Sequence, residues 1–269
     1  MSYESFAAIN INVTDRVAVI TIDHPPINLL DSVLISDLDR AGELLGADEN
    51  VRVVVLQSGD PEFFIAHADV NDVQKIAARS PEDDPAVSSV HIMTERFSLM
   101  PKPTIAKING IARGGGLEML AGLDMRFCSI EHTTLAQPEL TLGVIPGGGG
   151  VSRWPSLIGY ARAMELMLGC CDCDGAAAEK FGLVNRALPA GELDAFVDQL
   201  ATKIASFTPA AVEMVKGLGQ LEGAIEERLA AEHHAFLEIA RHSKAIKAMK
   251  AFMDAGGQTR AFELQSSLE

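Results

Sequence analysis

The 269-residue chain is 48% apolar and 22% charged, so it can build a sizeable core and lacks the composition of a disordered segment. Lys and Arg number 22 against 37 Asp and Glu, a formal charge of −15, and a surface of that sign repels nucleic-acid phosphates and anionic lipid. No run of about 18 apolar residues, no basic leader before an apolar stretch and only four cysteines are present, which predicts a cytoplasmic protein without a membrane span or disulfide framework.

Residues 9–22 read as a β-hairpin, with strand formers Val17 to Ile22 and a polar turn at Thr14-Asp15. Asp31 is placed to cap a helix whose apolar residues Leu34, Leu38, Ala41 and Leu45 recur at helical spacing. The β-branched run Val51–Leu56 suits a strand covered on both faces. A polar stretch at Pro81–Pro85 leads to an apolar helix near 86–100, closed by Pro101 and Pro103, and then to a strand at Thr104–Ile108. After Gly114-Gly115-Gly116 comes another helix, then a strand near Met125–Ser129. Such alternation predicts an α/β fold with a mostly parallel sheet. From about 191 only helices are expected, at 191–206, 209–219, 222–241 and 243–254, so the division is residues 1–190 and 191–269.

Two glycine runs, 114–116 and 147–150, invite a nucleotide-binding reading that their spacing rejects. The sixth residue from Gly114 is Met119 and from Gly147 is Ser152, so neither is a dinucleotide fingerprint, and no Walker motif or Gly-x-Ser-x-Gly elbow exists. Glycine also lets a backbone amide approach a ligand closely, and Gly114–Gly116 sit between a strand and a helix start, where negative charge is favoured. A tight turn is the simpler explanation of that run taken alone. Glu118 just inside the helix, and Glu139 in Gln137-Pro138-Glu139, add two carboxylates able to act as an acid/base pair.

At these residues the chain resembles the enoyl-CoA hydratase/isomerase, or crotonase, superfamily. Glu62-Phe63-Phe64-Ile65-Ala66-His67-Ala68-Asp69-Val70 is similar to its first loop, and Lys102-Pro103-Thr104-Ile105-Ala106-Lys107-Ile108-Asn109-Gly110 to the strand that follows. Gly114-Gly115-Gly116-Leu117-Glu118 with Leu123-Asp124 resembles its glycine helix. Gln137-Pro138-Glu139, Leu142-Gly143, Ile145-Pro146-Gly147 and Gly182-Leu183-Val184 continue the series, so the likeness covers residues 6–190 in order.

The resemblance implies a crotonase-like spiral of β-β-α units with a C-terminal helical region that serves oligomerisation and part of the coenzyme A site. It also implies a homotrimer or dimer of trimers, an acyl-CoA thioester as substrate, and no metal or cofactor beyond the coenzyme A of the substrate. The family's two amides on the thioester oxygen would fall on Ala68 and Gly115, and its two catalytic glutamates on Glu118 and Glu139. Ala66, Ala68, Asp69, Val70 and Gly115 would line the substrate. Two carboxylates favour a hydratase of 2-enoyl-CoA, with a double-bond isomerase or another acyl-CoA enzyme of the family as the alternative and a non-catalytic binding protein behind it.

His67 stands where the family commonly has glycine, and Arg113 where a small or apolar residue is expected. Cys170, Cys171 and Cys173 have no second pair to complete a zinc site and read as free thiols. Lys244, Lys247 and Lys250 fall near one helical face, either a solvated basic surface or a contact for coenzyme A phosphates.

Overall fold

A computed structural model describes residues 3, 5–77, 82, 88–220, 234, 236 and 243–254. The chain divides into two compact units, residues 1–206 and 207–269.

The first unit opens with the hairpin β1 (Ile9–Thr14) and β2 (Val17–Ile22), paired antiparallel. Its two turn residues, Asp15 and Arg16, both take positive φ, 49° and 70°, as a two-residue hairpin of matching twist requires. Helix α1 (Ser32–Ala47) starts at Asp31, whose side chain accepts from the amides of Val33 and Leu34, and it buries Leu34, Leu38, Ala41 and Leu45.

Three further β-β-α units follow. They are β3 (Val53–Ser58), β4 (Phe63–Ile65) and α2 (Val70–Ala77); then, after α3 (Ser89–Ser98), β5 (Thr104–Ile108), β6 (Ile111–Arg113) and α4 (Gly115–Leu120); then β7 (Met125–Ser129), β8 (Thr134–Ala136) and α5 (Gly150–Ile158). In each of these three units the first strand joins a six-stranded sheet of order β1-β2-β3-β5-β7-β10, where β10 is Arg186–Leu188, and the second joins a four-stranded sheet β4-β6-β8-β9, where β9 is Cys173–Asp174. Successive units therefore lie beside one another as a spiral, with parallel pairing from β2 through β7 and from β4 through β8. Helix α6 (Tyr160–Gly169), β9 (Cys173–Asp174), α7 (Gly175–Phe181), β10 (Arg186–Leu188) and α8 (Ala190–Ser206) complete the unit.

Strand β3 explains its own sequence. Val54 and Leu56 face the main core with Leu34, Leu38 and Phe97, whereas Val53 and Val55 face a second core with Ile105, Phe127 and α8 residues Leu193, Val197, Ala201 and Ala205. A strand covered on both sides has no polar face to show, hence the near-continuous valines. Each such buried Val or Leu contributes about 1.5–3 kcal/mol.

Arg126 on β7 is buried and serves the polypeptide rather than a ligand. Its Nη1 donates to the carbonyls of Leu123 (2.7 Å) and Leu120 (3.2 Å), and its Nε to that of Leu183 (2.9 Å). The guanidinium so caps the C-terminal end of α4, and burial pulls it down to about 10, still charged at neutral pH.

In the second unit the described residues include helices Pro209–Gly219 and Ser243–Asp254, and His234 and Phe236 are also helical. The rest of the helix expected at 222–241, and Ala86 and Val87 of that expected near 86–100, lie outside the described residues. No helix among the described residues is long and apolar enough to cross a membrane.

Candidate active site

The segment after β4 is fastened from behind. Asn28, buried, donates from Nδ2 to Ser58 Oγ (2.9 Å) and to the Phe63 carbonyl (3.1 Å), and its Oδ1 accepts from the His24 amide (2.8 Å). That brings Leu30 alongside Ala68 in a parallel bridge: the Leu30 amide donates to the His67 carbonyl (2.9 Å) and the Asp69 amide to the Leu30 carbonyl (3.2 Å). In extended backbone the N–H and C=O of one residue share an edge, so those of Ala68 point away from Leu30. The Ala68 carbonyl accepts from the His67 ring, and its N–H has no partner among the described residues.

Helix α4 is pressed against this segment by glycine. A Cβ on Gly116 would lie 2.5 Å from the Ile65 carbonyl oxygen, so only hydrogen fits there. Gly114 precedes the helix at φ 50°, ψ −126°. The place for a Cβ on Gly115 is 3.2 Å from Ala68 Cβ and 3.6 Å from Ala68 N, which sets the two backbones side by side. As the first helical residue, Gly115 has no intrahelical acceptor for its N–H, and among the described residues no other takes it. Two unpaired amides thus stand next to each other.

Glu118, one turn further on, is 3% exposed. Its Oε1 accepts from the amides of Gly148 and Gly150, both at 2.8 Å. Burial pushes its carboxyl above the usual carboxylate range, opposed by those two hydrogen bonds and by the charge of nearby His91. Glu139 opens a 3-10 turn (Glu139–Leu142) just past β8. Its Oε1 lies 2.8 Å from where a Gly114 Cβ would be, and its Oε2 is buried without a partner among the described residues. Its pKa is raised to about 7, by burial first, with the charge of Glu118 adding to the rise and its own backbone amide opposing it. The structure therefore brings Ala68, Gly115, Glu118 and Glu139 together around Gly114.

Of the other residues expected in the site, Ala66 is buried, and Asp69 turns its carboxylate to the Asn71 amide (2.8 Å) at the start of α2. Val70 is exposed as the first residue of that helix. Arg113 points to Asp172 in a two-pronged ion pair, 2.8 and 2.5 Å, joining β6 to the segment before β9. All four cysteines are free thiols, Cys128 and Cys173 buried. In the other unit Lys247 is exposed and Lys250 pairs with Asp254 (2.6 Å), while the side chain of Lys244 lies outside the described residues.

Gln137 was not foreseen. It is fully buried, and among the described residues neither its Nε2 nor its Oε1 has a partner. Nε2 and Glu118 Oε1 are each 2.9 Å from the place of a Gly150 Cβ, so amide and carboxylate crowd one glycine. The only hint in the sequence is its position beside Pro138-Glu139.

Known proteins resemble this chain in sequence and in fold. The family model described as enoyl-CoA hydratase/isomerase matches residues 12–259. A probable enoyl-CoA hydratase of Rhizobium meliloti is 34% identical over 94% of this chain and 96% of its own length. A short-chain-enoyl-CoA hydratase of Clostridium acetobutylicum is 31% identical over 89% of this chain and 92% of its own. The crystal structure of an enoyl-CoA hydratase from Bacillus anthracis superposes with a TM-score of 0.84 at 30% identity, covering 93% of this chain and 97% of that one. In sequence and in fold, the chain belongs to the enoyl-CoA hydratase/isomerase family.

Proposed function

We propose that the protein adds water across the double bond of a 2-enoyl-CoA thioester, giving the 3-hydroxyacyl-CoA. The observation that carries this reading is the meeting of two amides unpaired among the described residues, Ala68 and Gly115, with a buried carboxylate, Glu118, and a half-buried one, Glu139. The hydratase names of the relatives from R. meliloti and C. acetobutylicum support the same substrate class.

Attack of water on Cβ drives the double-bond electrons toward Cα and onto the thioester oxygen. Amides already aimed at that oxygen do not reorganise as its charge grows, and losing one such donor costs about 2.7–4 kcal/mol. The O–H bond of water breaks as the Cβ–O bond forms, with the proton passing to a carboxylate. A proton returns to Cα and the thioester carbonyl re-forms. A carboxyl titrating near 7 is matched to both transfers at neutral pH, and because Glu118 and Glu139 interact, the protons belong to the pair. With this reading go a homotrimer or dimer of trimers, a cytoplasmic location, and chemistry that uses no cofactor beyond the substrate's own coenzyme A.

Crotonyl-CoA is the test substrate. Turnover to 3-hydroxybutyryl-CoA supports the reading; conversion between 2-enoyl and 3-enoyl thioesters without water uptake makes the protein an isomerase. Glu118→Gln and Glu139→Gln are each expected to lower hydration by about 10²–10⁴-fold with the circular dichroism unchanged, and near-normal turnover in both removes the acid/base roles.

A further inference from the structure

We propose that His67 is a positioning residue for the Ala68 amide, an inference that rests on the reading of that amide as a donor to the thioester oxygen. Three observations lead to it. The His67 ring nitrogen Nδ1 lies 2.8 Å from the Ala68 carbonyl oxygen. A carbonyl only accepts, so the ring carries its proton on Nδ1. The bridge to Leu30 engages the His67 carbonyl and the Asp69 amide, and leaves both polar groups of Ala68 on the opposite edge.

Among the described residues that edge has no neighbouring strand. The pairing of β4 with β6 ends at Ile65, three residues before Ala68, so nothing from the sheet fixes the Ala68 peptide groups. The ring supplies the missing partner. It holds the carbonyl, and with it the orientation of the residue whose N–H lies beside Gly115. It also neutralises an acceptor dipole on the same edge as that N–H. A bare carbonyl oxygen there would oppose negative charge growing on a substrate oxygen, and a donor set on it removes part of that opposition.

The place is also consistent with a side chain turned toward the site: His67 Cβ lies 3.8 Å from where a Gly114 Cβ would be, and Glu139 Oε1 lies 2.8 Å from the same point. A glycine at position 67 would leave the Ala68 carbonyl without this donor. Histidine here is therefore the chain's own device for stiffening a segment that glycine leaves loose.

The test compares wild type with His67→Asn, whose side-chain amide keeps a donor near the position of Nδ1, and His67→Leu, which keeps bulk without a donor. Steady-state hydration of crotonyl-CoA gives kcat and KM. The red shift of cinnamoyl-CoA absorbance on binding reports how strongly the thioester carbonyl is polarised. His67→Leu is expected to lose about tenfold in kcat, with KM within about twofold and a smaller red shift, because the interaction matters most when the oxygen carries charge. His67→Asn is expected to recover most of both signals. Wild-type kcat and red shift in His67→Leu overturn the inference and leave the hydratase reading standing, as does a His67→Asn no better than His67→Leu. A wild type that neither hydrates crotonyl-CoA nor shifts cinnamoyl-CoA overturns both. If His67→Leu does not fold, His67→Ala takes its place with the same expectations.

Discussion

Glu118 and Gly150, 32 positions apart in the chain, are joined by a 2.8 Å hydrogen bond from the glycine amide to Oε1 of the carboxylate. A Cβ at position 150 would stand 2.9 Å from that oxygen and 2.9 Å from Gln137 Nε2, with Pro146 Cβ at 3.1 Å. The carboxylate must shift if the glycine is replaced. Gly150→Ala is expected to cut hydration at least about tenfold while costing roughly 1–3 kcal/mol of stability, the usual range for overpacking. Turnover of crotonyl-CoA alongside a urea titration checks both halves, and an unchanged kcat would show that Glu118 is not held in a required position.

The titration of Glu139 predicts how stability changes with pH. Its carboxyl is raised from 4.5 to about 7 in the folded chain. Between those values the folded state keeps a proton that the unfolded state has released, so the free energy of unfolding falls as pH rises through that window. Glu139→Gln removes the dependence. Its thermal midpoint is expected to exceed that of wild type above pH 7 and to gain nothing below pH 4.5. An offset of the same size at every pH contradicts this origin.

Arg126 gives a prediction about stability rather than chemistry. Replacing it by Met leaves the carbonyls of Leu123 and Leu183 without the donor that now serves them, while that of Leu120 keeps the Leu123 amide at 3.2 Å. A buried acceptor left unpaired costs about 1–3 kcal/mol, so Arg126→Met is expected to lose about 2–5 kcal/mol in urea unfolding. Arg126→Lys should recover only part, since one ammonium does not reproduce the planar fork that reaches all three oxygens.

Much of this architecture is visible in the residues themselves. The Asp31 cap, the spacing of Leu34, Leu38, Ala41 and Leu45, and the valines of β3 carry local signals that the packing then uses unchanged. The second strands of the repeats do not. β4, β6 and β8 are three residues each, too short for any periodicity, and they exist because they pair with one another, Phe63 with Ile111 and Ile111 with Thr134. The same division holds at the site. Gly114–Gly116 and the two glutamates stand out as motifs, yet which amides hold Glu118 follows from a contact across 30 residues or more. Asn28 belongs to no pattern, and Gln137 is visible only as part of Gln137-Pro138-Glu139; the first matters through a turn with φ 51° and the second through burial, and both are properties of the folded chain.

The contact of Gly116 with Ile65 sets the spacing of the neighbouring amides by the closest approach of two main chains. No rotamer intervenes between them, so thermal hopping of side chains leaves that gap alone. On the proposed function, drift in the residues that surround an acyl tail would be free to retune which substrate is accepted, because the proposed grip on its carbonyl is written in atoms that every amino acid shares.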